Sequence, residues 1–252
     1  MECDQQLGAP DFMRLSEELC RHFETSTNDF DVESQDFQKF VLCFGSASHA
    51  MHQVRAALAV ARTGRVFAAH ANARVALEFA VTAQWIAVHP DGPSRFQELL
   101  AHNKHRLVKG LHSTKSLPVG SDTYVELLEQ MEDRAKRGQS VEAICNSLEP
   151  NGESLYAVYR QLTQSVHPSD WVADAYIADV EGVLHLRGNA YVGDDDGILL
   201  YYPLALSCLL AVGVIESLRV GTPNFKWVDQ KAKQAVGNSC LLRPKRNLKM
   251  SD

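Results

Sequence analysis

The stretch RVFAAHANARVALEFAVTAQWIAV, Arg65 to Val88, is apolar nearly all the way round. A helix with apolar residues on every side lies inside a protein, not on its surface. This one therefore predicts a helical core with other helices packed around it. Its polar exceptions form a row: His70, Arg74 and Glu78 stand at successive steps of four, and Thr82 continues it. Within the helix only Arg74 and Glu78 carry full charge, and an unpaired charge in a core costs several kcal/mol. Two arrangements satisfy them. Either they form an intrahelical ion pair facing a polar neighbour, or the row lines a cleft shared with a second polar helix. Arg before Glu is the less favourable order for an exposed pair at this spacing.

Helical periodicity extends in both directions. Asp11 is expected to cap a first helix to about Glu24, with Phe12, Leu15, Leu19 and Phe23 on one face. A second runs from near Asp36 to Arg62, bent or interrupted around Gly45, and ends at Thr63-Gly64. The breaker cluster His89-Pro90-Asp91-Gly92-Pro93 closes the central helix. Further helices are expected from Ser94 to about Ser113, from Ser121 or Asp122 to Arg137, from Ser140, from Glu153 to His167, and from Asp170 to Ile177. Val183 to Leu186 and Ala190 to Val192, on either side of Arg187-Gly188-Asn189, predict a small hairpin near 183–192. The fold class is all-α, a bundle of about seven to nine helices. Residues 1–34 read as an N-terminal helix and linker and 35–221 as the helical domain. From Thr222 the periodicity is lost, so 222–252 reads as a basic, partly flexible tail.

Ile198 to Ile215 carries no charge and comes near the length that spans a bilayer. Pro203, Ser207 and Gly213 weaken it as a span, and its flanks, Asp194 to Asp196 and Glu216 with Arg219, offer no basic anchor. A core helix is the expectation, and no membrane partner. With 45% apolar and 22% charged residues the composition is globular. A net charge of −6 argues against a protein that coats nucleic acid by bulk electrostatics, while leaving room for a local basic cleft. The six cysteines are scattered without a CxxC pair and read as buried free thiols, which suits the cytoplasm.

The second polar helix is LYAVYRQLTQSVHPS, Leu155 to Ser169. Arg160, Thr163, Gln164 and His167 form its polar stripe; Leu155, Tyr159, Leu162 and Val166 form the apolar one. Pro168 disfavours the α conformation at His167, which turns the imidazole off the helix axis. A cation and a titratable base at one helix end suit the handling of a phosphodiester. If both polar stripes line one cleft, Glu78 orients Arg160 or His167, and Arg74 adds a second cation.

The pairing of ARVALEFAVTAQW (Ala73 to Trp85) with YRQLTQSVHPS (Tyr159 to Ser169) resembles a family of bacterial all-helical proteins known only as a domain of unknown function, over about residues 35 to 220. The Arg160-x6-His167 spacing is also similar to the Arg-x4–6-His motif of HEPN domains, helical bundles that include metal-independent endoribonucleases of toxin–antitoxin, abortive-infection and antiviral systems. That resemblance implies Arg160 and His167 as the catalytic pair, RNA as substrate, a homodimer, and an antitoxin or defence-system partner protein. His70, Arg74, Glu78, Tyr156, Tyr159, Gln161, Thr163 and Gln164 would support or bind substrate. HEPN nucleases usually place Asn, Asp or His after the Arg. Gln161 stands there instead, able to hydrogen-bond but not to take a proton.

As a ribonuclease, His167 would serve as general base on the 2′-OH or general acid on the leaving oxygen, and Arg160 would hold the phosphate oxygens. One His cannot easily fill both proton-transfer roles, which is the chemical reason to expect two copies. The alternative is a non-catalytic helical module that binds nucleotide, RNA or protein, its Arg74/Glu78/Arg160/His167 cluster acting as structural glue. Neither His49/His52 nor His102/His105 has an acidic residue that completes a metal pattern, so no metal and no cofactor is expected. Asp194-Asp195-Asp196-Gly197 lacks the spacing of a calcium loop and reads as a turn and helix cap.

Overall fold

Thr63 and Gly64 reverse the chain between two long helices, α2 (Phe37–Arg62) and α3 (Val66–Val88). Gly64 takes a φ of +79°, a left-handed conformation that costs a glycine little. So short a connection makes the helices antiparallel neighbours. Along α2 the buried positions Cys43, Ala47, Ala50, Val54, Ala57 and Ala61 advance by alternating fours and threes. Along α3 so do Ala69, Ala73, Ala76, Ala80 and Ala83, all fully buried. That alternation is a heptad seam, and small side chains at nearly every position let the helix backbones approach closely.

The computed structural model describes residues 7–26, 30–113, 140–149, 152–181, 183–188, 190 and 196–244. The remaining helices among them are α1 (Ala9–Ser26), α4 (Gly92–Ser113), α5 (Val141–Asn146), α6 (Gly152–Gln164), α7 (Asp170–Tyr176), α8 (Asp196–Leu218) and α9 (Phe225–Val236). The fold is an all-α bundle, as the periodicity predicts. The charge-free segment is α8, and 78% of its most apolar window is buried. It packs against α1, α2, α3 and α9. The helix expected from Ser121 or Asp122 to Arg137 lies outside the described residues.

Several expectations are corrected. α2 runs unbroken through Gly45, whose added Cβ would meet nothing within 4 Å. α1 begins before Asp11, which reaches back to accept a hydrogen bond from the Gly8 N–H at 3.0 Å. α6 stops at Gln164, three residues short of His167, and Ser169 Oγ donates to the freed Gln164 carbonyl at 2.7 Å. The expected hairpin is present, with β3 (Val183–Leu186) paired to the preceding β2 (Ile177–Val180); Tyr191 and Val192 of the expected second strand lie outside the described residues. Pairing Val180 with Val183 leaves a two-residue connection, and Glu181 takes the positive φ (54°) that such turns demand.

Structure does not end at Thr222. α9 packs on α8, and the chain then enters the core, where Cys240 and Leu242 are buried. β4 (Arg243–Pro244) pairs antiparallel with β1 (Leu148–Glu149). The anchor is Gln84, fully buried on α3. Its Nε2 donates to the Leu210 and Cys240 carbonyls at 2.7 and 2.8 Å, and its Oε1 accepts from the Leu242 N–H at 3.0 Å. Gly213 on α8 makes room: an added Cβ would lie 2.8 Å from three atoms of Cys240.

A second buried polar group, Glu216, joins α1 to the end of α8 and the start of α9. It accepts from His22 at 2.9 Å, from Arg219 at 3.0 Å and from Asn224 at 3.4 Å. Burial acts to raise its pKa, but the His22 hydrogen bond and the Arg219 charge outweigh it and hold the carboxyl below its ordinary value.

Two predictions follow from this architecture. Ala76→Leu overpacks the α2–α3 seam and costs roughly 1–3 kcal/mol in urea unfolding, whereas Ala71→Leu on the exposed face of α3 stays within about 0.5 kcal/mol of wild type. An equal loss in both variants would show that the seam is not close-packed. Because the folded pKa of Glu216 lies below the unfolded one, its contribution is complete above the unfolded carboxylate range, about pH 4.3, and is lost as pH falls through the folded value. Glu216→Gln should therefore be less stable than wild type at neutral pH and lose less stability on acidification, read from urea midpoints across a pH series.

Candidate functional site

α3 is covered by α2 on one side and α8 on another, so the polar row of Arg74 and Glu78 finds its outlet toward α6. α6 docks through Leu155 and Leu162, both buried, and the turn between them carries Tyr159. The Arg74 guanidinium donates to the Tyr159 hydroxyl at 2.6 Å. That hydroxyl in turn donates to Glu78 Oε2 at 3.4 Å, and Arg74 and Glu78 stand 3.8 Å apart. The guanidinium carbon lies 5.0 Å from the centre of the Tyr159 ring. The contact runs through Tyr159, a residue of the apolar stripe of α6, and not through Arg160 or His167. Arg74 and Glu78 pair within their helix, and they face the second polar helix, through its tyrosine.

Tyr156 lies one turn before Arg160, its ring stacked on Tyr159 with centroids 6.3 Å apart and planes at 17°. Its hydroxyl donates to Glu142 Oε2 at 3.2 Å. Partial desolvation, then the Glu142 carboxylate, push the Tyr156 phenol up, so it stays a proton donor at neutral pH. Glu142 went unnoticed in the sequence. Its signal was its place in the first turn of α5, whose N-cap Ser140 accepts from the Ala143 N–H at 3.1 Å.

Arg160 and His167 are both exposed, and among the described residues neither side chain makes a hydrogen bond or ion pair. Arg160 lies close enough to Tyr156 to act on it electrostatically. His167 lies beyond the end of α6, its N–H bonded to the Thr163 carbonyl at 3.2 Å. Thr163 turns its hydroxyl back to the Tyr159 carbonyl at 2.8 Å, which removes it from solvent chemistry. Gln161 is half-buried and Gln164 exposed. His70 is buried at the other end of the row, its Nδ1 3.0 Å from the Phe67 carbonyl. The Phe67 ring leads from there to Tyr176, 6.3 Å away, and both rings line a cleft of about 380 Å³ at the start of α3. The structure therefore joins Arg74, Glu78 and Tyr159, sets Tyr156 and Arg160 beside them, and separates His70 from the group. Among the described residues no cluster of three or more His, Cys, Asp or Glu side chains could hold a metal ion.

Residues 40–183, more than half of the chain, match the family of unknown function DUF5677. The chain belongs to DUF5677. The family segment starts in α2 and ends on the first residue of β3, so it holds the α2–α3 hairpin, α6 and every residue of the polar cluster. α8, which covers the buried side of α3, lies outside it. No curated protein and no solved structure matches the chain.

Tyr159→Phe keeps the ring and removes the hydroxyl that links Arg74 to Glu78. With both charges partly exposed, the loss should be about 1 kcal/mol in urea unfolding. A double-mutant cycle with Arg74→Met should show the two sites coupled; additive losses would mean that the contact contributes nothing.

Proposed function

We propose that this DUF5677 protein is a metal-independent endoribonuclease of HEPN type, a cytoplasmic toxin or antiviral effector in which Arg160 and His167 act on the phosphodiester. The likeness to HEPN domains rests on those residues and their spacing. One observation carries the reading: a cation and an imidazole are presented to solvent in the C-terminal part of, and just beyond, a helix whose inner face is docked on α3. Leu155, Leu162 and the Arg74–Tyr159–Glu78 network hold α6, so Arg160 extends from a rigid element, as a group that must stabilise developing charge requires. Cleavage would proceed by attack of the ribose 2′-oxygen on phosphorus, with Arg160 on the non-bridging oxygens and His167 moving a proton. Tyr156 and Tyr159 form a stacked pair beside Arg160 on which a base can rest.

A single exposed His167 supplies one proton transfer, so the reaction calls for a second copy. The β2–β3 hairpin, shortly after His167, presents a surface for it. Leu184 and Leu186, 70% and 86% exposed, share one face of the hairpin with Ile177, and Val180 and Val183, 52% and 57% exposed, lie on the other. A second reading is favoured by Gln161, whose amide cannot relay a proton: the same face binds RNA or a nucleotide without cutting it.

The test is cleavage of structured and unstructured RNA in excess chelator. Arg160→Ala and His167→Ala should each lower the rate by at least roughly a hundredfold with the circular dichroism spectrum unchanged. Leu184→Asp with Leu186→Asp should yield monomers in sedimentation and the same loss. Wild-type protein that binds RNA and never cuts it, with affinity falling in Arg160→Ala, would establish the binding module instead.

A further inference from the structure

α1 and α8 pack along a seam in which two cysteines meet. Cys208 is fully buried on α8, and its Sγ lies 3.9 Å from the Ser16 carbonyl on α1, one turn before Cys20. The turn of α1 that begins at Ser16 ends at Cys20, so Cys208 lies against the turn that carries Cys20, and the two thiols influence each other's ionisation. The other described cysteines behave differently. Cys43 donates to the Ala83 carbonyl, and burial pushes Cys43, Cys145 and Cys240 each up to about 12. Those three are inert packing groups.

Cys20 alone of the pair has a route to solvent. It lines a cleft of about 400 Å³ between α1 and α2, together with Glu17, Arg21, Glu24, Arg55 and Arg62. Glu24 ion-pairs with Arg55 and Glu17 with Arg62, so the cleft is walled by paired charges. The Cys208 thiol, and after it the charge of Arg55, lower the Cys20 pKa, while burial and the Cys20 thiol itself raise that of Cys208. A thiol with its pKa lowered, lining an open cleft beside Arg55 and backed by a second thiol without a solvent path, is the arrangement of an attacking and a resolving cysteine.

We infer that Cys20 and Cys208 form a reversible disulfide when the protein meets a hydroperoxide, with Cys20 attacking and Cys208 resolving. The Cys20 thiolate attacks one peroxide oxygen and the O–O bond breaks. This gives Cys20 sulfenic acid and hydroxide, or an alkoxide from an organic peroxide. The Cys208 sulfur then attacks the sulfenic sulfur, its proton leaves with the departing hydroxyl as water, and the S–S bond forms. Two thiols lose two electrons and the peroxide gains them. Cys208 already lies against the turn of α1 that carries Cys20, and the cross-link requires the two sulfurs to close to a bond of about 2.05 Å. The cross-link ties α1 to α8 across most of the chain length, a constraint that acts mainly on the unfolded state and raises the unfolding temperature.

The full-length reduced protein is exposed to a modest excess of hydrogen peroxide, alkylated, digested and mapped by mass spectrometry without reductant. The expected product is one cross-linked pair of peptides joining Cys20 to Cys208. It should vanish on treatment with dithiothreitol, and the treated protein should melt at a higher temperature than the reduced one. Cys208→Ala should accumulate a dimedone-reactive sulfenic acid on Cys20, Cys20→Ala should leave Cys208 unmodified, and Arg55→Gln should slow the reaction several-fold. Folded wild-type protein in which Cys20 stays reduced would overturn the assignment. So would Cys20 that proceeds to sulfinic acid without a cross-link, or that bonds to a different cysteine.

Discussion

The close approach of α2 and α3 along their small-residue seam is the constraint on which the remaining structure depends. With alanine at most of the inward positions, two long helices share one narrow space and leave α3 only part of its surface for anything else. α8 takes a second side. The charges of Arg74 and Glu78 can then be answered from one direction, and α6 answers with the hydroxyl of Tyr159. Once Tyr159 is committed inward, helical geometry sends Arg160, one residue later, toward solvent. The exposure of the candidate site thus follows from packing two layers beneath it.

Buried polar groups, more than apolar area, decide how the ends of the chain are placed. Gln84 meets its hydrogen-bonding demand on the backbone of α8 and of the segment 240–242. A buried amide left without these partners would be costly, so the C-terminal segment has one seat. Gly213 opens the space for it. Glu216 does the same for α1 and α9 through His22, Arg219 and Asn224. The DUF5677 segment holds the α2–α3 hairpin and the polar cluster, but its core is closed by elements on both sides of it in the chain.

Much of the fold was legible because helix periodicity and breakers act over short distances. The starts of α3, α5 and α7 and the burial of α8 all follow from local pattern. Errors arose where a local signal was ambiguous. Gly45 reads as a bend, yet in the middle of a long helix with neighbours on both sides it costs only about 1 kcal/mol and is tolerated. Phe225 to Val236 is short and mixed in polarity, so its helix owes its order to packing against α8. Val183 to Leu186 reads as a strand from its own pattern, but its partner Ile177 to Val180 is brought alongside by the tight turn at Glu181. The polar cluster was half legible: the spacing placed Arg74 and Glu78 on one face and Tyr159 among the apolar positions of α6, with no hint that its hydroxyl would meet them.

The order of residues along the chain was enough to set which segments coil, which are buried and which residues stand a whole number of turns apart, since each depends on neighbours within a few positions. Only the tertiary structure could decide that Arg74 meets Tyr159, that Gln84 holds the segment ending at Leu242, and that Cys20 faces Cys208. Those partners lie 85, 158 and 188 positions apart. Their meeting depends on how each helix is rotated about its axis and slid along its neighbour, and a rotation of one residue, about 100°, would replace every one of them.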